Sequence, residues 1–145
     1  MKFSQIKAVK DFCLSLMSEP NWREVLQEVL ANESDFEVDN VRFIKSDDID
    51  SILASELSND HYILGCFNAG FLAGVTGWPI VLIEAAQKGE AFEALGKAID
   101  DEGYCDELSK AYASADGYGH HFNHYDGNEE EVTINGVNYY VFDNR

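Results

Sequence analysis

Carboxylates are the most abundant side chains in this sequence with the capacity for binding or catalysis. The 145 residues include 27 Asp and Glu against 10 Lys and Arg, which gives a net charge of −17. Residues 1–32 are neutral, so residues 33–145 carry the whole excess of negative charge. Such a protein repels nucleic acid and anionic lipid, because both need Lys and Arg to neutralise their phosphates. Its field favours rapid association with a basic protein surface instead.

Three clusters along the chain concentrate these acids, and we predict that they form a partner-binding surface. One tyrosine is counted with the third cluster, since aromatic side chains next to carboxylates supply anchors in protein interfaces. The predicted residues are Asp47, Asp48 and Asp50; Asp100, Asp101, Glu102, Asp106 and Glu107; and Tyr125, Asp126, Glu129, Glu130 and Glu131.

Three of the four histidines lie in the segment GYGHHFNHYDGNEEE, residues 117–131. In a helix, His120 and His124 would share a face and could bind zinc together with a carboxylate. A metal-dependent enzyme that uses these two residues or His121 is therefore one hypothesis. The glycines of the segment favour a loop or an irregular strand over a helix, however, and no HExxH motif is present. We predict no metal and no cofactor, and interpret the segment as an aromatic-rich surface loop or a partner-contact loop.

No other motif for catalysis is present. The sequence lacks a Ser-His-Asp order, a phosphate-binding glycine loop and an activated-cysteine motif. Cys105 precedes Asp106, and a neighbouring carboxylate raises the pKa of a thiol and suppresses the reactive thiolate. Paired acids such as Asp47-Asp48 are explained more simply as solvated helix ends. We predict that the protein is not an enzyme.

The elements that must position the acids are mostly helical. Apolar residues at helical spacing predict helices near residues 3–17, 20–30, 46–58, 90–101 and 103–115. Residues 36–44 predict one strand, with an interruption near Asp39-Asn40. Asn135-Gly136 predicts a β-hairpin of residues 131–134 and 137–142, because this dipeptide suits a type I′ turn. We therefore predict an α+β fold, a single domain of residues 1–145 with a small antiparallel sheet.

The stretch Tyr62–Ile83 contains 22 residues and no charged side chain. It is long enough to cross a bilayer, but its glycines and its acidic flanks argue against a membrane span. We predict two helices instead, at about residues 60–75 and 79–88. They would form a buried pair, in which Gly70 and Gly74 allow close approach.

The same stretch offers a second interpretation. Ala73, Gly77 and Ile83 resemble the small-turn-apolar skeleton of a helix-turn-helix. The second helix would carry a single cation, Lys88, whereas a DNA-binding helix needs cations around it to hold phosphates. Core packing is the favoured interpretation, and a helix-turn-helix fragment used for structure or protein contact is the alternative.

The cysteines bear on the compartment. Cys13, Cys66 and Cys105 are odd in number and far apart, which argues against a disulfide framework and a zinc ribbon. Cys13 and Cys66 lie among apolar residues, and we predict that both are buried thiols. The cytoplasm of a bacterial host is the expected location.

Four segments of the chain carry a resemblance to known proteins. They are YILGCFNAGFLAGVTG (62–77), EAFEALGKAI (90–99), ASADGYGHHFNHYDGNEEE (113–131) and NYYVFDNR (138–145). Together they resemble small acidic accessory proteins of bacteriophages and plasmids, over roughly residues 40–145. The resemblance implies a role similar to that of antirestriction or anti-CRISPR inhibitors, which block basic nucleic-acid-binding surfaces.

The leading hypothesis is a non-enzymatic inhibitor from a mobile element. It would act as a DNA mimic on the basic surface of a host complex such as a CRISPR effector or a restriction enzyme, without contacting nucleic acid or membrane itself. The alternative is an immunity or antitoxin protein that neutralises a cognate toxin. The neutral helices of residues 1–32 leave two roles open, a homodimer face or a part of the core.

Overall fold

A computed structural model describes residues 3–144 of the chain. These residues form nine helices and one four-stranded antiparallel sheet, so the predicted α+β class is confirmed. They group into two compact units. The first contains the described residues of Met1–Ile49 and Asp116–Arg145, and the second is Asp50–Ala115.

The elements follow one another along the chain with short connections. In order they are α1 (Phe3–Ser15), α2 (Trp22–Leu30), β1 (Asp35–Val38), β2 (Val41–Lys45), α3 (Ile49–Ser58), α4 (His61–Cys66), α5 (Ala69–Thr76), α6 (Ile80–Lys88), α7 (Phe92–Asp101), α8 (Cys105–Asp116), α9 (Gly119–Phe122), β3 (Glu130–Ile134) and β4 (Val137–Asp143). The first unit thus holds the whole sheet with α1, α2 and α9, whereas the second unit is helical.

The sheet of the first unit has the strand order β1-β2-β4-β3. The C-terminal hairpin was predicted, and its turn places Asn135 and Gly136 at φ of 54° and 79°. The single strand predicted at residues 36–44 is instead a second hairpin. Asp39 and Asn40 both take positive φ, 50° and 67°, which is the backbone of a tight two-residue turn. The interruption expected at this dipeptide is therefore a chain reversal.

One face of the sheet packs against α1 and α2 to form the core of the first unit. The buried members are Val9, Cys13, Leu16, Val25, Val29, Phe36, Val38, Val41, Phe43, Ile134, Tyr139 and Val141. The helix residues recur every three or four positions and the strand residues every second position, as an amphipathic element requires. Phe36 and Phe43 stack on neighbouring strands with ring centroids 4.9 Å apart. The neutral N-terminal helices thus belong to the core.

Close backbone packing organises the second unit. A Cβ added to Gly65 of α4 would overlap the backbone carbonyl of Phe92 in α7, and one added to Gly96 of α7 would overlap that of His61. The two helices therefore approach each other at positions where only glycine fits. The predicted helix of residues 60–75 is wrong in extent, because α4 ends at Cys66 and the side chain of Asn68 caps the start of a new helix, α5.

The uncharged stretch Tyr62–Ile83 is less buried than predicted. Val81 and Leu82 of α6 are 74% and 63% exposed, and the glycines of α5 face open space or a side-chain tip. Cys66 is exposed, contrary to the prediction, whereas Cys13 is buried as expected. Among residues 3–144, no helix combines the length and the apolar character that a bilayer crossing requires.

Candidate partner-binding surface

The loop between α9 and β3, together with the first two residues of β3, carries the third acidic cluster, and one buried asparagine fixes the conformation of the loop. The Asn123 side-chain oxygen accepts hydrogen bonds from the backbone N–H groups of Tyr125 and Asp126 at 3.0 and 3.2 Å. Its amide nitrogen donates to the carbonyl of Asn128 at 2.8 Å. Because Asn123 is buried, these bonds are shielded from competing water. The loop therefore has a defined conformation.

The helical turn α9 supports the loop from below. The segment was predicted to be non-helical, but Gly119–Phe122 forms one turn that packs directly on the loop. A Cβ on Gly119 would overlap the carbonyl of Gly127, so this position requires glycine. The end of α9 is also fixed by the C-terminal residues, because the Asn144 side chain donates to the Phe122 carbonyl at 2.9 Å.

We use the name loop surface for Asp126, Glu129, Glu130 and Glu131, whose carboxylates are exposed. Asp126 accepts the backbone N–H of Asn128 at 3.0 Å, and Glu129 accepts that of Tyr118 at 3.0 Å. Each of these two carboxylates is therefore held in position by the backbone. Glu130 and Glu131 differ, since no hydrogen bond or ion pair within residues 3–144 involves their side chains.

The loop surface borders a cavity of about 410 Å³ in the first unit. Ser15, Leu16, Met17, Asn123, Asp126, Asn128, Glu129, Glu130, Val141 and Asp143 line it. One side is thus acidic and the other apolar, and within the described chain no Lys or Arg contributes to the lining. Met17 lies two residues beyond the end of α1, and it is 77% exposed.

This combination suits the side chain of a lysine or an arginine. Both residues have an apolar stem and a cationic head, and they bury the stem against apolar groups while the head meets a carboxylate. Leu16 and Met17 would contact the stem, and Asp126, Glu129 and Glu130 would contact the head. The geometry is therefore that of a receptor for a cationic side chain from a partner.

The second acidic cluster lies in the other unit, at the junction of α7 and α8. We call Asp100, Asp101, Glu102, Asp106 and Glu107 the helix-end cluster. Asp100 is bonded on both oxygens: Ser58 donates to Oδ1 at 2.8 Å, and His61 Nε2 lies 2.9 Å from Oδ2. The hydrogen bond with His61 has the largest effect and that from Ser58 the next largest, and together they hold the pKa of Asp100 below its ordinary value. The carboxylate thus joins α3, α4 and α7.

The remaining members of the helix-end cluster stabilise their own helices. Lys97 donates to Asp101 at 2.7 Å across one turn of α7, and this bond raises the pKa of the lysine. Asp106 and Glu107 occupy the first turn of α8, where the helix dipole favours negative charge. Glu102 is exposed. Most of this cluster therefore has a role within the fold.

The first predicted cluster is divided between the units. Asp47 is exposed, and Asp48 accepts a hydrogen bond from the Ser34 hydroxyl at 2.7 Å. Asp50 lies in the first turn of α3 and belongs to the second unit. Of the predicted acids, the structure brings Asp126, Glu129 and Glu130 together along one cavity.

The histidines and cysteines of the described residues form no metal site. Within residues 3–144, no group of three or more His, Cys, Asp and Glu is placed to hold a metal ion. His120 and His124 are exposed, and only the former lies in α9. Burial, followed by the hydrogen bond to Asp100, raises the pKa of Cys105 to about 12, so its thiol stays protonated. Burial also raises the pKa of Cys13 to about 11.

Comparison of the chain with protein-family models, curated proteins and solved structures finds no match. The interpretation of the site therefore depends on its geometry.

Several residues that shape this geometry gave little signal in the sequence. Asn123 sits in a polar loop, and only the structure shows that it is buried. Leu16 and Met17 reach the cavity from the opposite end of the chain. His61, 39 residues from Asp100, could not be paired with it by spacing. Gly117 and Gly119 did indicate, from sequence, a backbone conformation or a close contact that suits glycine.

Proposed function

We propose that this protein is a non-enzymatic acidic inhibitor that binds a basic surface of a partner protein through the loop surface. The observation that carries the proposal is the cavity of the first unit. It joins carboxylates held by the backbone to an apolar wall, and so offers complementary contacts to both parts of a Lys or Arg side chain. A surface that served solubility alone would not need this fixed geometry.

The mechanism is competition for cations that otherwise hold phosphate. Nucleic-acid-binding proteins place Lys and Arg along the path of the backbone phosphates. The carboxylates of the loop surface would occupy the same cations and prevent phosphate from reaching them. The net charge of −17 adds long-range attraction, which speeds encounter with a basic partner and depends on salt.

The proposed partner is a nucleic-acid-handling complex of host defence, such as a CRISPR effector or a restriction enzyme, in the cytoplasm of a bacterial cell. The charge pattern supports a basic partner of this class. The resemblance to small acidic proteins of phages and plasmids supports the setting of a mobile element.

The test is capture from a bacterial lysate on the immobilised protein at graded salt, with mass spectrometry of what is retained. We expect a nucleic-acid-binding protein that is released as ionic strength rises and that competes with added DNA or RNA for binding. The control is the variant with Glu129, Glu130 and Glu131 all changed to Lys, which should retain little of it. Retention that is independent of salt and identical on the variant would contradict the proposal.

A further inference from the structure

Strand β3 is an edge strand with backbone groups available for another chain. The order β1-β2-β4-β3 gives β3 one neighbour, β4, and leaves its other side unpaired within the described sheet. An edge of this kind can accept an additional strand from a partner.

The register shows which backbone groups face outward. Ile134 and Val137 flank the two-residue turn and therefore exchange backbone hydrogen bonds. In an antiparallel pair such positions alternate, so Glu131 and Thr133 direct their N–H and C=O groups away from β4. An independent contact supports this assignment. The carbonyl of Asn138, which lies opposite Thr133, accepts from Ser46 N at 2.9 Å on the β2 side.

The side chains of this edge are acidic and exposed. Glu130 borders the cavity, and Glu131 lies on the opposite face of the strand because successive side chains alternate. A strand that paired here with lysines or arginines would find a carboxylate on each face. A second copy of β3 would place glutamates close to glutamates, which disfavours self-pairing. The negative charge of β3 thus disfavours pairing with a second copy and favours pairing with a basic strand.

The other edge of the sheet differs in length and in the pairing of its charge. Strand β1 is shorter, with four residues, and the Arg42 guanidinium donates to both oxygens of its Asp35 at 2.9 and 2.7 Å. Glu37 is the other exposed acid of β1. Of the two edges, β3 is the longer one, and it carries the acid that borders the cavity, Glu130.

We propose that an extended segment of the partner, rich in Lys or Arg, adds to the sheet as a fifth strand along β3. Its backbone pairs with Glu131 and Thr133, and its cationic side chains contact Glu130 and Glu131. This inference rests on the proposed function, which requires a basic partner surface, and it specifies the conformation of the partner at that surface.

The test uses a synthetic peptide of about seven residues in which pairs of lysines are separated by single threonines, so that lysines lie on both faces of the strand. The matched control peptide has the same sequence and charge, but N-methyl groups remove its pairing N–H donors. Titration by fluorescence anisotropy at low salt should show at least about tenfold tighter binding of the unmodified peptide. In amide-resolved NMR, the N–H groups of Glu131 and Thr133 should become protected from exchange.

Two protein variants check the same point from the other side. Thr133→Pro removes an outward N–H without breaking a backbone bond to β4, and Thr133→Ala keeps that donor. Both variants lose the hydrogen bond from the Thr133 hydroxyl to the Asn138 side chain of β4. We expect weaker peptide binding by the proline variant alone, and NMR shifts in β4 that match those of the alanine variant are the check on folding. Equal binding of both peptides would overturn strand addition and leave the electrostatic proposal intact. If neither peptide binds, both proposals fail.

Discussion

The loop surface and the helix-end cluster are both groups of acidic residues that are expected from the sequence to be exposed. In the structure, their carboxylates differ in how many internal hydrogen bonds they accept. In the helix-end cluster, Asp100 joins three helices and Asp101 pairs with Lys97. In the loop surface, backbone N–H groups fix two carboxylates at the mouth of a cavity, while the side chains of Glu130 and Glu131 form no hydrogen bond or ion pair within residues 3–144. The first arrangement uses negative charge for folding, and the second leaves it available for a partner.

The difference teaches that charge density alone does not identify a binding surface. A carboxylate such as Asp100, whose two oxygens both already accept internal hydrogen bonds, must weaken those bonds to bind a partner, and this costs free energy. A carboxylate that the backbone has positioned, but whose other oxygen is open, binds without that cost. We therefore expect the loop surface to dominate partner binding.

Charge reversal in the loop surface should have the largest effect on partner binding. Changing Glu129, Glu130 and Glu131 to Lys should weaken binding to the captured partner by about 100-fold or more, because attraction becomes repulsion at the contact. The matched variant changes Glu102, Asp106 and Glu107 to Lys and has the same net charge. Isothermal titration should show a much smaller loss for it, and equal losses would mean that only total charge matters.

Glycine substitution tests the scaffold of the second unit. Gly96→Ala should lower the free energy of unfolding by about 3 kcal/mol or more, because its Cβ meets the backbone of His61 and the helices must separate. Trp78 fluorescence in urea reports this unit, with Trp22 changed to Phe to isolate the signal. Gly74→Ala is the control. Gly74 lies in a helix and faces open space, so an alanine there should raise the free energy of unfolding by about 0.5–1 kcal/mol. An unchanged free energy of unfolding in Gly96→Ala would contradict the close contact between α4 and α7.

Removing Asn123 tests whether the loop surface is held in place. Asn123→Ala should lower the stability of the first unit by about 1–2 kcal/mol, since three part-buried backbone groups lose their hydrogen-bond partner. Trp22 fluorescence in urea measures this. Faster amide exchange at residues 125–128 should accompany it. Asn128→Ala keeps the backbone contacts and should change little; the account of the loop fails if the two variants behave alike.

The pH dependence of the second unit should reveal the smallest effect. The pKa of Asp100 is lowered in the folded state, so its contribution to stability is present above the ordinary aspartate pKa and is lost as the pH falls. As the pH falls through and below the ordinary aspartate pKa, Asp100→Asn should lose less of its free energy of unfolding than the parent protein does. Urea unfolding followed by Trp78 measures it. An identical pH profile in the variant would show that the hydrogen bonds from Ser58 and His61 are unimportant.

Much of the fold could be predicted from sequence, because its signals are local. The helices α1, α2, α7 and α8 follow from the spacing of apolar residues, and the C-terminal hairpin follows from Asn135-Gly136. The β1–β2 hairpin was harder, since Asp39 and Asn40 adopt positive φ without a glycine. The break between α4 and α5 depends on capping by one residue, Asn68, within an apolar run.

The candidate site was predictable only in part. Composition indicated the acids of the loop surface, because carboxylates near aromatic residues are visible in any sequence. Composition could not separate them from the helix-end cluster, whose hydrogen bonds come from residues on α3 and α4. The apolar wall of Leu16 and Met17 likewise depends on how α1 packs on the sheet. Tertiary contacts decide both points, and local sequence does not record them.

Hydrogen exchange of the complex tests the central claim most directly. The protein would be labelled alone and bound to the partner captured from lysate, and its amides compared by mass spectrometry. We predict protection on binding across residues 123–134, which contain the loop surface and β3, and little change across residues 100–107. Protection of residues 100–107 with none at 123–134 would contradict the claim that the loop surface is the binding site.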